Sequence, residues 1–256
     1  MEKMDKMTVI GLVAIVVTML YILSASSILH MLFNPLALII VYGGTFSATL
    51  IAYPWAVIKE IVPSLRVMLF PSKHSDKDME DMIAKLSSLA EKARREGVES
   101  LAGEMPKIND RFLLHGLQML VDGLEHDVIK DNLGREIFYT RHNQQKVSGA
   151  FRTMATVAPI FGLLGTLMGI VDMLRNLSNP SSMGAAMSNA VTATFYGIFS
   201  ANVFIPIATK LTDHSERDII NKEMIAEGIM SIQQGDVPLI LRKKLTAFIM
   251  AHMRQA

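Results

Sequence analysis

Residues 153–174 read TMATVAPIFGLLGTLMGIVDML and decide the class of the chain. This stretch holds a single ionisable residue, Asp172, close to its end. An α-helix needs about 20 mostly apolar residues to cross the hydrocarbon core of a bilayer. The stretch therefore predicts a membrane span.

Three more apolar stretches carry no charge at all, and they are Met7–Ser24, Pro35–Val57 and Gly184–Thr209. Half of the chain is hydrophobic, and only 19% is charged, where a soluble domain carries about 25%. We therefore predict an all-α, polytopic membrane protein with four transmembrane helices and a helical cytoplasmic domain.

The positions of the basic residues predict the orientation. Of the 25 Lys and Arg residues, only Arg175 falls in one of the two short connections, 25–34 and 175–183. Since basic residues near span ends favour the cytoplasm, both termini are expected there. A cleaved signal peptide is the alternative for the first stretch, but its apolar run is longer than usual.

Composition also excludes several functions. A formal net charge of +1 argues against nucleic-acid binding, and zero cysteines exclude thiolate chemistry. The sequence has no H-E-x-x-H, Walker A or Gly-x-Ser-x-Gly motif, so we expect no enzyme, no cofactor and no tightly bound metal.

The segments outside the spans are predicted to be helical. Apolar residues recur at helical spacing over Ser75–Arg95, with Ser75 as N-cap and Gly97 as the stop. Further helical runs are Arg111–Leu124, Val128–Val147, Asp213–Gln234 and Pro238–His252. The predicted division is 1–57 for spans one and two, 58–152 for a cytoplasmic rotor-facing domain, 153–210 for spans three and four (the ion path), and 211–256 for C-terminal cytoplasmic helices.

Small residues in the last two spans predict close helix contact. They are Gly162, Gly165, Gly169 and Gly197. Small residues let backbones approach in lipid, where no hydrophobic force drives helices together. Packing within one chain and a helix-lined path in an oligomer are both compatible with this pattern.

Thr166 and Thr194 stand near the middle of these spans, and Thr166 lies two helical turns after Pro159. Pro159 leaves one upstream carbonyl without its helical donor. Hydroxyl and carbonyl oxygens are ligands for a hard cation, although such a threonine often bonds its own helix instead. No span carries a charge near its centre, so a partner is expected to supply a carboxylate. Asp172 and Arg175 suggest a surface pair or a vestibule.

Several runs resemble the MotA/PomA stator subunits of the bacterial flagellar motor. They are VYGGTFSAT at 41–49, ARREG at 93–97, APIFGLLGTLMG at 158–169, TFYG at 194–197 and FIPIA at 204–208. The resemblance extends over most of the chain. It implies a ring of five subunits in the inner membrane around a dimer of a MotB/PomB-type partner, which carries the ion-accepting aspartate and a peptidoglycan anchor. It also implies that the cytoplasmic helices push on the rotor protein FliG.

The resemblance assigns roles to individual residues. Pro159 and Pro206 match the two functional prolines of the family, with Pro206 coupling to torque. Arg94 matches the arginine that meets the rotor, and Arg95 stands beside it. The acidic rotor residue expected at position 102 is here Ala102.

Glu99 and Glu104 lie near Ala102 and are the candidates to replace that acidic residue. Sodium-driven relatives resemble this chain in having threonine at position 166, whereas threonine at position 194 also occurs in proton-driven ones. The resemblance therefore favours sodium, with a proton as the alternative.

Two other functions remain open from the sequence. An ExbB/TolQ-like energiser of an envelope process shares the architecture of the last two spans, but typically has three spans and an external N-terminus. A non-conducting membrane scaffold, in which the threonines serve packing alone, would pass no ions even with its partner.

Overall fold

The computed structural model describes residues 6–25, 33–69 and 76–255, and these residues are nearly all helical. The described residues form eight helices, which we number α1 to α8: Lys6–Ala25, Pro35–Ala52, Trp55–Leu69, Asp76–Glu96, Arg111–Val121, His126–Arg175, Pro180–Gln233 and Pro238–Gln255. Helix α2 contains a π-helical turn at Ile39–Gly43, and 3₁₀ turns occur at Val98–Gly103 and Met105–Lys107. No strand occurs among the described residues.

Helices α6 and α7 are longer than the sequence predicts. The predicted helix Val128–Val147 and the third span belong to one helix of 50 residues, and Asp213–Gln234 joins the fourth span in one of 54. Hydropathy marks where the apolar stretch begins, but no proline or positive-φ glycine interrupts the backbone at either boundary. The backbone therefore stays helical where the side chains change from polar to apolar.

Three described helical segments are long and apolar enough to cross a membrane, within α2, α6 and α7. Helix α1 coincides with the first predicted span and has 20 residues. The count of four spans stays a prediction.

The chain divides into two compact units. The span unit comprises Met1–Pro71 and Gln144–Thr212. The loop unit comprises Ser72–Asn143 and Asp213–Ala256. These units divide at 71/72, 143/144 and 212/213. The predicted boundaries, at residues 57/58, 152/153 and 210/211, were placed at the expected membrane borders and stay a prediction.

Inside the span unit, one apolar cluster joins α3, α6 and α7 through Val57, Phe151, Met154, Ala208 and Leu211, among others. Asn34 caps α2 by accepting a hydrogen bond from the backbone N–H of Ala37 at 3.1 Å, and Pro35 occupies the first turn. The Tyr53 and Thr153 hydroxyls lie 3.0 Å apart, which links the end of α2 to α6.

The loop unit has its own core. Its largest fully buried side chains include Leu86, Leu113, Leu133, Ile225 and Leu241, one from each of the helices α4 to α8. Helix α4 ends at Glu96, and Gly97 follows with a φ of 87°, so the predicted stop is confirmed. The predicted N-cap, Ser75, lies outside the described residues.

Candidate ion path and rotor surface

Thr166 and Thr194 meet in the structure. Thr166 Oγ1 is within hydrogen-bonding distance of Thr194 Oγ1 and lies 3.1 Å from the carbonyl oxygens of Ala190 and Gly162. Thr194 Oγ1 also approaches the Ala190 carbonyl, at 3.4 Å. Each hydroxyl has one hydrogen and two lone pairs, so this set keeps free lone pairs for a further electropositive group.

Glycines bring these two hydroxyls together. A Cβ atom on Gly162 would lie 2.9 Å from the Ala193 carbonyl oxygen, and one on Gly169 would lie 2.8 Å from that of Ala186. A Cβ atom on Gly165 would lie 2.5 Å from the Ala193 Cβ. Helices α6 and α7 are thus in backbone contact within one chain.

A groove opens beside the hydroxyl pair. Its volume is about 550 Å³. Its walls are apolar except for Thr166, Thr194 and Asn202; the apolar lining is Ile15, Val191, Phe195, Ile198, Phe199 and Val203. An apolar wall with a few oxygens strengthens electrostatic interactions at those oxygens, since few dipoles are available to screen them.

Pro159 and Pro206 lie inside α6 and α7 and do not end them. The Cα of Pro159 lies 3.0 Å from the position of a Cβ on Gly197, so Pro159 is part of the helix crossing. Pro206 lines a second groove of about 440 Å³ with Asn202 and Lys210. Because proline has no N–H, it leaves the carbonyl of Asn202 without a helical partner.

Charged residues are absent from the middle of the two apolar stretches within these helices, 153–174 and 184–209. Asp172 lies near the end of α6 and is exposed, and its Oδ1 accepts a hydrogen bond from Asn176 at 3.2 Å. No ion pair joins Asp172 to Arg175 among the described residues, so the pair that the sequence suggested is not formed. No group of three His, Cys, Asp or Glu residues in the described part of the chain could hold a metal ion.

The arginines predicted to meet the rotor lie at the end of α4. Arg94 is exposed. Arg95 is exposed too and pairs with Glu91 at 2.5 Å, one turn back on the same helix. Glu99 is exposed in the following 3₁₀ turn, so both signs of charge are available on this surface.

Glu104 is held by lysines, unlike Glu99. Its Oε1 accepts from Lys92 Nζ at 2.7 Å, and its Oε2 accepts from Lys107 Nζ at 3.0 Å. The hydrogen bond from Lys92, followed by that from Lys107, lowers the pKa of Glu104 to about 2. The carboxylate therefore ties the loop after α4 back onto that helix. Ala102 is exposed.

Sequence reasoning missed the polar contacts between helices. Ser200 donates to the Tyr42 hydroxyl at 3.0 Å, and Asn34 donates to Asn189. Both pairs join residues more than 150 positions apart. Uncharged polar side chains inside apolar spans are the signal that could have identified them, because such groups need partners in lipid.

The chain matches two family descriptions. Residues 9–97 match "Motility protein A N-terminal", and residues 104–224 match "MotA/TolQ/ExbB proton channel family". Motility protein A of Bacillus subtilis is 33% identical over 98% of this chain and 93% of its own length. The chemotaxis protein PomA of Vibrio alginolyticus is 30% identical over 96% of each.

A solved structure agrees with these sequence matches. The flagellar MotAB stator complex from Bacillus subtilis includes a chain that superimposes with a TM-score of 0.82 and 30% identity, over 98% of each chain. Likeness in sequence and in fold thus extends over nearly the whole chain. The chain belongs to the motility protein A family, the membrane-embedded MotA/PomA subunits of flagellar stators.

Proposed function

We propose that this stator subunit conducts sodium together with a MotB/PomB-type partner and converts the ion flow into torque on the rotor protein FliG. Five copies would surround the partner's transmembrane helices in the inner membrane, with both termini of each copy in the cytoplasm. The match to the motility protein A N-terminal family over residues 9–97 favours this function over an ExbB/TolQ-like energiser.

The observation that carries the choice of ion is the meeting of Thr166, Thr194 and the Ala190 carbonyl. A sodium ion that leaves water must replace its hydration with oxygen ligands, whereas a proton needs no such set. Two hydroxyls and a carbonyl provide three neutral oxygens at one place. They provide no negative charge.

The partner completes the site. The described middle of the spans has no carboxylate, and a bare cation in an apolar groove is costly. A transmembrane aspartate from the MotB-type subunit, placed against the groove beside Thr194, would neutralise the ion. One charge that crosses about 100 mV releases roughly 2.3 kcal/mol, which is available for rotation.

On the cytoplasmic side, we assign the contact with the rotor to Arg94 and Glu99. Arg94 has no ion pair among the described residues, and Glu99 is exposed without one. Glu104 forms ion pairs with Lys92 and Lys107, so we do not assign it as the replacement for the missing acidic residue at position 102.

The test is single-motor speed against external sodium at fixed pH. Thr166→Ala removes one oxygen ligand, and the sodium concentration for half-maximal speed should rise on the order of tenfold. Thr166→Ser keeps the hydroxyl and should restore most of the response. Thr209→Ala is the matched control, because that hydroxyl bonds only the Ile205 carbonyl of its own helix, at 3.1 Å.

Two outcomes would contradict sodium. If Thr166→Ala left the sodium titration unchanged, the hydroxyl would have no part in ion binding. If wild-type speed followed pH and ignored sodium, a proton would be the ion. Ion flux that is missing even with the partner present would favour a scaffold.

A further inference from the structure

Helix α3 begins at the edge of a membrane span. Helix α2 ends at Ala52, Tyr53 is extended with φ −127° and ψ 140°, and α3 starts at Trp55. Two residues, Tyr53 and Pro54, lie between the helices, so the three Cα–Cα steps from Ala52 to Trp55 span at most about 10 Å. Since α2 is a candidate span, Trp55 must lie close to the polar border of the bilayer.

One face of α3 packs against the rest of the span unit. Val57, Ile61 and Leu65 pack into the cluster that includes Phe151 and Met154 of α6. These positions are four residues apart and form one side of the helix. That side fixes α3 to the span unit and leaves the opposite side outward.

The outward side carries what we call the α3 stripe, the residues Trp55, Lys59, Val62 and Arg66. They are spaced at i, i+4, i+7 and i+11, so they form one row. Trp55 and Val62 are 69% and 74% exposed, and both cations are exposed. Lys59 makes no hydrogen bond or ion pair with any residue that the structure describes.

The charges of α3 are asymmetric. The helix has one acidic residue, Glu60, which lies next to the stripe in sequence but about 100° away around the helix. The stripe therefore contains two basic residues and no acidic one. Tryptophan is enriched at the borders of a membrane, and basic residues beside such a border attract anionic headgroups.

We propose that the α3 stripe binds the headgroup of an anionic phospholipid at this border of the membrane. Lys59 and Arg66 contact the phosphate oxygens, while Trp55 and Val62 pack against the glycerol and the upper acyl chain. The charge of the stripe is complementary to such a lipid and not to a zwitterionic one. This binding site is independent of which ion the stator conducts.

Trp55 makes the proposal testable, because it is the only tryptophan in the chain. The probe is Trp55 fluorescence in the complete stator complex, with tryptophans of the MotB-type partner replaced by phenylalanine. The complex is placed in phosphatidylcholine nanodiscs that contain increasing mole fractions of phosphatidylglycerol with brominated acyl chains or, in a parallel series, of brominated phosphatidylcholine. Brominated phosphatidylglycerol should quench at a lower mole fraction, by about fivefold for each contributing cation.

Variants separate headgroup recognition from simple contact with lipid. Lys59→Gln with Arg66→Gln should abolish the preference for phosphatidylglycerol while quenching by phosphatidylcholine persists. Arg242→Gln with Lys243→Gln, the matched control, removes two exposed cations from α8 and should leave the preference intact. Persisting quenching also shows that the variant is folded and inserted.

Three results would overturn the proposal. Equal quenching by both lipids in the unaltered complex would mean that lipid covers the stripe without recognition of its headgroup. No quenching by either lipid would mean that a protein surface, from a second copy or the partner, covers Trp55. A preference that survives the α3 double variant would place the lipid site elsewhere.

Discussion

Gly162 and Gly197 face each other where α6 and α7 cross. A Cβ atom on Gly197 would lie 3.1 Å from the Gly162 Cα and 2.7 Å from the Ala158 carbonyl oxygen. Thr166 lies one turn after Gly162, and Thr194 lies about one turn before Gly197, so the two hydroxyls are neighbours because the glycines touch. The helix crossing thereby determines the geometry of the proposed ion site.

Gly197→Ala should damage both stability and conduction. The added methyl group would meet backbone atoms, which cannot move aside as a flexible side chain can. Overpacking of this kind costs about 1–3 kcal/mol. We expect a lower unfolding temperature of the purified stator complex and a sodium flux reduced to a small fraction of the unaltered rate.

Gly184→Ala is the matched control, because the same change on the same helix meets no atom within 4 Å. It should leave the unfolding temperature and the flux unchanged. If Gly197→Ala were equally silent, the backbone contact would not determine the position of the threonines.

Glu104→Gln tests the ion pairs that hold the loop after α4. The folded-state pKa of Glu104 is about 2, below its ordinary value of 4.5, so its charge stabilises the folded state fully above about pH 4.5. This stabilisation is lost as the pH falls from 4.5 towards 2. We expect the variant to unfold at a lower temperature at pH 7, and the difference from the unaltered protein to shrink progressively below pH 4.5.

Glu99→Gln is the control for that series, since Glu99 has no ion pair among the described residues. Its unfolding temperature should follow that of the unaltered protein at every pH. A constant difference between Glu104→Gln and the unaltered protein down to pH 3 would show that the lysine contacts are not what the carboxylate contributes.

Hydropathy and local spacing predicted the apolar segments, the all-helical fold and the end of α4, because these depend on neighbours along the chain. The stop at Gly97 follows from the freedom of glycine at positive φ, which is a local property. The continuity of α6 and α7 was not predicted, since a change from polar to apolar side chains resembles a boundary in the sequence.

Contacts between residues that are distant in the chain could not be predicted from the sequence. Thr166 and Thr194 were both placed near the middle of their spans, but nothing in the local sequence says that they share the Ala190 carbonyl. Glu104 was a candidate for the rotor surface because it lies near Ala102 in the sequence. Its partner Lys92 is 12 positions away in the sequence. The two residues are separated by the 3₁₀ turn Val98–Gly103, in which Leu101 is buried.

Arg94→Glu should lower torque without loss of assembly. Arg94 is exposed at the end of α4 and makes no ion pair in the described part of the chain, so reversing its charge leaves the fold intact. Exposed charges mainly steer docking and are screened by salt. Single-motor recordings should show reduced stall torque or slower recruitment of stator units.

Lys130→Glu, which reverses an exposed charge on α6, is the control for a general change in charge. It should leave stall torque and recruitment as they are. Normal stall torque in Arg94→Glu motors would remove Arg94 from the rotor surface, and the role would pass to Glu99 or to another part of the cytoplasmic surface.

A double-mutant cycle on Tyr42 and Ser200 tests the hydrogen bond that joins α2 to α7 at 3.0 Å. Interhelical hydrogen bonds in membrane proteins contribute about 0.6 kcal/mol on average. Tyr42→Phe and Ser200→Ala should each lower the free energy of unfolding in mixed micelles, and the double variant should lose less than the sum, by about that amount. Tyr42→Phe with Thr209→Ala should be additive, because Thr209 bonds its own helix. Additivity in the Tyr42–Ser200 cycle as well would mean that this hydrogen bond contributes nothing to holding α2 against α7.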